Sequence, residues 1–163
     1  DSSDMVTAWV ALTPSTTESG CVAMLPGSHT NGIRTHVDRY GPDNILTRGQ
    51  NIDRIDEAAA VDVELRPGQM SLHHPHLVHG SRPNRTDQRR VGVAFQCYVG
   101  ADVRPNRGKH HVLALGGRPV DPAFTTVPAP DGPCTAASRA VRAAANAALS
   151  DVLYDGAAVR RSY

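Results

Sequence analysis

The sequence predicts an all-β sandwich or barrel that ends in a helical tail. Three observations carry this reading. Short runs of alternating apolar and polar residues recur through residues 1–100, the pattern of half-buried strands. Gly and Pro are frequent, 14 and 12 in 163 residues, which favours many short elements joined by turns. One Ala-rich stretch near the C-terminus has helical spacing instead. The length suits a single domain, 1–163, with its own core.

In chain order, "MVTAWVAL" (5–12) reads as a strand with Val6, Ala8, Val10 and Leu12 on one face and Thr7 and Trp9 on the other. "TPSTTESG" (13–20) is a turn-rich loop, and "CVAMLPGSH" (21–29) is a short strand closed by Pro-Gly. Residues 30–57 are polar and long for a passive connection, as lids and binding loops often are. "AVDVELRPGQMSLHH" (60–74) resumes order: Val61, Val63 and Leu65 are expected inward, Pro67-Gly68 turns the chain, and another strand follows. "RRVGVAFQCYV" (89–99) has the clearest alternation. Val91, Val93, Phe95 and Cys97 are expected on one face, with Arg90, Gly92, Ala94, Gln96 and Tyr98 on the other. Residues 101–134 read as irregular. A helix is predicted over 135–153, after Pro133, with Val141, Ala145, Ala148 and Val152 on one stripe.

Charge excludes some functions. Seventeen basic against 16 acidic residues leave no field for nucleic acid or a membrane surface. No apolar run approaches a membrane span, and there is no basic-then-apolar signal segment. Cys21, Cys97 and Cys134 are odd in number and in no C-x-x-C pair, so they read as reduced thiols of a cytoplasmic protein.

The residues with chemical promise are His79 and Arg90. "HLVHGSRPNRTDQRR" leads from a strand end through a Gly-Ser turn into the next strand, so the two side chains can meet across a hairpin. Arg90 shares its face with Gly92 and Ala94, whose small side chains leave a cavity. A guanidinium directed into a cavity needs an anion, and a carboxylate is its natural guest. A solvated edge arginine and a surface histidine would give the same letters, and the pattern alone leaves both readings open.

Three blocks in this order, "TAWVAL", "GCVAMLPGSH" and "HGSRPN" followed by Arg90, resemble the phytanoyl-CoA dioxygenase family of Fe(II)/2-oxoglutarate oxygenases. The likeness covers about residues 1–100. It implies a double-stranded β-helix (jelly-roll, cupin-like) fold with the C-terminal helix appended. The implied reaction is hydroxylation of a small organic substrate, using Fe(II), 2-oxoglutarate and dioxygen. By the same likeness His79 is the distal iron ligand, and Arg90, helped by Ser81, anchors the far carboxylate of 2-oxoglutarate. Trp9 takes a packing or supporting place near the metal, and Asn84 helps to hold the turn.

The family's other two iron ligands form an H-x-D upstream of the W-x-A-L strand. "RTHVDRYG" (34–41) contains His36 and Asp38 at that spacing, but downstream of P-G-S-H. The order marks them as residues of a covering loop, and the expected H-x-D lies before residue 1, in a missing N-terminal part. On that reading this chain alone is inactive, and hydroxylase and halogenase, which differ at the acidic ligand, are not distinguished. Two alternatives stay open. His73, His76 and His79 could build an all-histidine site of a cupin-type enzyme with non-redox metal chemistry, or the chain could be a non-catalytic β-sandwich binding module.

Overall fold

The computed structural model describes residues 4–41, 48–116 and 119–160. Residues 1–3, part of the 30–57 loop and part of the "GGRP" turn (116–119) lie outside the described residues. The described chain is mostly β with one C-terminal helix. It divides into two compact units, residues 4–36 with 52–99 and residues 37–51 with 100–160.

The first unit holds six strands: β1 (Met5–Ala11), β2 (Val22–Met24), β3 (Val61–Val63), β4 (Met70–His73), β5 (His79–Ser81) and β6 (Gly92–Val99). They form two antiparallel sheets in the orders β4-β1-β6 and β3-β2-β5. The predicted turns join them. Gln69 N–H reaches the Arg66 carbonyl at 3.0 Å around Pro67-Gly68, and Ser28 N–H reaches the Leu25 carbonyl at 3.3 Å around Pro26-Gly27. Ser28 then accepts the Val78 N–H at 2.8 Å, which ties this second turn to the entry of β5. Buried Ala8, Ala11, Cys21, Met24 and Val78 supply the small apolar core.

Register sorts the first sheet into two faces. Leu72, Ala8 and Phe95 share one row, as do Met70, Val10 and Val93. This apolar face is largely open, with Leu72 65% and Phe95 47% exposed. Ser71, Trp9 and Ala94 share a row on the opposite face, with Thr7 and His73 beside it. The clear apolar alternation of β6 thus marks this face, while small and polar residues share the face of Trp9. Inward Val61 is corrected in the same way, since it is 55% exposed.

Tyr98 is a second correction. Two steps along β1, from Val6 to Ala8, oppose three along β6, from Tyr98 to Phe95. The extra residue is a β-bulge, and it reverses the alternation beyond Phe95. Tyr98 therefore turns to the side of Phe95, their rings 6.4 Å apart, and leaves the Arg90 face.

In the second unit, β7 (His111–Leu113) and β8 (Thr125–Val127) pair in parallel. The expectation that 101–134 is irregular fails here. Strands of three residues are too short to show alternation, and their parallel pairing skips over an intervening connection. The predicted helix is present as α1 (Ala136–Leu153). Thr135 caps it by accepting the Ser138 N–H at 3.1 Å and donating to Asp131 at 2.6 Å. The stripe Val141, Ala145, Ala148 and Val152 is its half-buried side.

Gly20 is a backbone crossing point that tests this packing. Its φ is +72°, and a Cβ there would strike the Arg82 carbonyl, which has backbone on both sides and cannot yield. Gly20→Ala is expected to cost about 2–4 kcal/mol. The check is a lower urea midpoint with an unchanged m-value.

Candidate functional site

The side chains with chemical promise meet between the two sheets of the first unit. Trp9, on the central strand β1, lies over Gly92, and a Cβ at residue 92 would occupy the indole's place. Arg90, two residues before β6, stacks on that indole with Cζ 5.4 Å from the ring centre. Its Nη2 lies 3.5 Å from Ser81 Oγ on β5, a long contact. Arg48, Arg82, Arg104, Arg107 and Arg160 all have carboxylate partners. Among the described residues half-buried Arg90 has none, only the Trp9 face and the Ser81 hydroxyl. A guanidinium so held is preorganised to take a carboxylate in bidentate fashion.

His79 and Ser81 are two positions apart on β5, so they share a face and stand roughly 6.6 Å apart along the strand. His79 Nδ1 is 2.7 Å from the Leu77 carbonyl. A carbonyl only accepts, so Nδ1 carries a proton, and in the neutral ring the lone pair is on Nε2. That is the tautomer a metal needs, fixed by the backbone of the same loop.

Across from it stands His73, on the inward face of β4. The two rings are 5.3 Å apart at 58°. His73 is buried, and burial pushes it below its ordinary value of 6.5, with the charge of His79 a smaller cause in the same direction. It is therefore a neutral imidazole at pH 7. Ser71 Oγ lies 3.5 Å from its Nδ1.

The other histidines form a separate chain of rings. His29 is 5.5 Å from His74, and His74 meets His76 edge-on at 4.9 Å. His76 N–H donates to His74 Nδ1 at 3.1 Å, which puts the His74 proton on Nε2 and removes the lone pair a ligand would use. The trio of His73, His76 and His79 is not assembled. Among the described residues no three His, Cys, Asp or Glu side chains gather to hold a metal.

Asp38 is fully engaged elsewhere. Its carboxylate accepts from Arg48 Nη2 at 2.7 Å, from Arg48 Nε at 3.0 Å, from Tyr40 at 3.0 Å and from Gln50 at 2.9 Å. His36 is exposed. Asn84 donates to the Gln88 carbonyl at 2.7 Å and accepts the Thr86 N–H at 2.9 Å within its turn. Burial first, and then the nearby carboxylates of Asp62 and Glu64, push the Cys21 thiol up, away from the reactive thiolate. The sequence reading gave His73 no place beside His79 outside the all-histidine alternative. The signal was its strand phase, which matches that of Thr7 and Trp9 across the β1–β4 register.

The family model described as Phytanoyl-CoA dioxygenase (PhyH) matches residues 1–92. A probable phytanoyl-CoA dioxygenase of Caenorhabditis elegans is 29% identical over 96 residues, 58% of this chain and 30% of that protein. A probable alpha-ketoglutarate-dependent hypophosphite dioxygenase of Stutzerimonas stutzeri is 28% identical over 122 residues, 71% of this chain and 42% of that protein. The non-heme monooxygenase ThoJ in its apo form superposes with a TM-score of 0.79 at 32% identity, covering 93% of this chain and 54% of ThoJ. Its nickel complex superposes at 0.73 with 29% identity, covering 93% and 52%. This chain thus spans about a third to a half of the length of these relatives. No helix among the described residues is long and apolar enough to cross a membrane.

The Asp38 network predicts an acid signature. Arg48 first, then Gln50 and Tyr40, hold its carboxyl below the ordinary 3.8. The stability it contributes is whole above the unfolded value and is lost as pH falls through the lowered folded value. The gap in urea stability between wild type and Asp38→Asn should therefore close as pH drops from about 5 to about 2. A gap independent of pH would show that the carboxylate contributes nothing through its charge.

Proposed function

We propose, from the premise that this chain belongs to the phytanoyl-CoA dioxygenase family, that it carries the co-substrate-binding part of an Fe(II)/2-oxoglutarate-dependent oxygenase. The two facing sheets are read as part of the family's double-stranded β-helix, a reading supported by the superposition on ThoJ. The observation that carries the proposal is the half-buried, carboxylate-free guanidinium of Arg90, beside Ser81 and one strand step from a histidine with a free Nε2.

The residues present fit the metal and the co-substrate. His79 Nε2 is the donor for ferrous iron, which prefers neutral imidazole with carboxylate and open positions. Arg90 and Ser81 bind the far carboxylate of 2-oxoglutarate. The roughly 6.6 Å strand step from Ser81 to His79 is close to the reach of a five-carbon diacid, so one molecule can touch both ends. Trp9 holds the guanidinium flat and screens it from water, which strengthens its grip on an anion. Iron, when bound, supplies the redox chemistry: dioxygen and 2-oxoglutarate are consumed, succinate and carbon dioxide leave, and one oxygen atom passes to the substrate.

The substrate is a small organic molecule hydroxylated at an unactivated carbon. The fold does not name it, since one scaffold serves many substrates. His36 and Asp38 belong to the loop 30–57 and are not iron ligands, a placement supported by the commitment of Asp38 to Arg48. Asn84 acts at a distance, by keeping the turn that delivers Arg90 to β6.

Anaerobic titration with ferrous iron and 2-oxoglutarate tests these roles through the visible charge-transfer absorption of the chelated complex. Arg90→Met is expected to weaken 2-oxoglutarate binding about 30-fold or more, and Ser81→Ala about 3- to 10-fold. An unchanged midpoint in Arg90→Met would remove Arg90 from the co-substrate site.

A further inference from the structure

We propose that His73 holds the second carboxylate of 2-oxoglutarate, the one beside its keto group, through an Nε2–H hydrogen bond. The inference rests on the reading of Arg90 and Ser81 as the grip on the far carboxylate, and it adds a binding residue from the opposite sheet. His73 is thereby a co-substrate-positioning residue and not a metal ligand.

Register carries the argument. On β5, Ser81 and His79 are two positions apart, a step of roughly 6.6 Å. The β4-β1-β6 sheet repeats that step. Trp9 stands opposite Ser71 in one row, and Thr7 stands opposite His73 two positions further along. Arg90 joins the Trp9 row to Ser81, with Cζ 5.4 Å from the indole centre and Nη2 3.5 Å from the hydroxyl. The rings of His73 and His79, with centres 5.3 Å apart, join the other row to the start of β5. The two sheets are thus linked at two places about one strand step apart, by a guanidinium at the first and by imidazoles at the second. A five-carbon diacid gripped at Arg90 brings its second carboxylate to the level of His73.

Hydrogen-bond chemistry suits His73 to that end. The ring is buried, and among the described residues its one hydrogen-bond partner is Ser71, whose Oγ lies 3.5 Å from Nδ1. Nε2 is the nitrogen left for a ligand. A hydroxyl either donates or accepts, so Ser71 permits both tautomers. A carboxylate only accepts, and it selects the form with the proton on Nε2 while the Ser71 hydroxyl donates to Nδ1. Such a bond to an anion is stronger than one between neutral groups. In His79 the Leu77 carbonyl imposes the opposite arrangement, with the proton on Nδ1. One imidazole therefore suits an anion and its neighbour a cation.

The test uses the full 163-residue chain without added metal, so that only protein groups grip the acid. Ligand-observed NMR follows 2-oxoglutarate, glutarate and pentanoate, the last of which lacks the second carboxylate. His73→Phe is expected to weaken both diacids about tenfold or more and pentanoate under about twofold, whereas Arg90→Met weakens all three. His73→Gln keeps a side-chain N–H donor and should recover most of the loss, which a merely structural role would not allow. In the wild-type complex, the ¹⁵N shift of His73 Nε2 should be that of a protonated ring nitrogen. This readout holds even if His73→Phe fails to fold.

Unchanged diacid affinity in His73→Phe, equal weakening of all three acids, or an unprotonated Nε2 in the complex overturns the role of His73. If Arg90→Met still loses the acids, the reading of Arg90 stands. Wild-type affinity in Arg90→Met, or no binding of 2-oxoglutarate to the wild type at about 10 mM, overturns both.

Discussion

The site depends on an indole lying where a side chain is absent. Trp9 sits on the central strand of its sheet, between Ser71 and Ala94, and covers Gly92. Any side chain at residue 92 would lift the ring, and the ring is what Arg90 rests on. The bare Gly92 therefore does more than relax the backbone. It sets the depth of the Trp9 floor, and through that floor the height at which a guanidinium can meet the Ser81 hydroxyl of the opposite sheet. Arg carries a large rotamer entropy when free, and a flat aromatic support reduces what a bound carboxylate must overcome.

That floor belongs to one of two unlike faces of the sheet: Leu72, Phe95 and Val93 lie on the other, while Ser71, His73 and Ala94, short or polar groups, surround Trp9 and leave space. The bulge near the end of β6 keeps this division from running the length of the strand, and it sends Tyr98 to join Phe95. The inner face is thus specialised over the few residues between His73 and Gly92, where the second sheet comes within reach.

Much of this was legible in the sequence because it is local. The step from His79 to Ser81 is a strand period, and the turns at Pro26-Gly27 and Pro67-Gly68 are written in their own residues. Arg90 could be chosen over Arg89 by its phase with Gly92 and Ala94. The helix from Ala136 announced itself through its Ala content and its stripe. What escaped depends on partners distant in the chain. Alternation in β6 told which residues share a face, but not which face looks inward. The bulge is a property of the β1–β6 pair and has no letter of its own. β7 and β8 need each other to be strands at all. His73 reads as one histidine among several until register places it beside Thr7 and ring geometry beside His79.

The histidines show why spacing alone could not rank them. His73, His74, His76 and His79 fall within seven residues, and residue type alone gives each the same two ring nitrogens. The backbone separates them. A carbonyl at Nδ1 frees Nε2 in His79, whereas an N–H at the same atom of His74 puts the proton where a metal would bind. Chain geometry around the "HHPHLVH" turn decides between carbonyl and N–H, and Pro75 helps to fix that geometry by restricting its own φ. The same short segment thereby leaves Nε2 open in one neutral ring and makes its neighbour's Nδ1 a hydrogen-bond acceptor. Tautomer, set by the local turn, is the physical variable that distinguishes these otherwise identical letters.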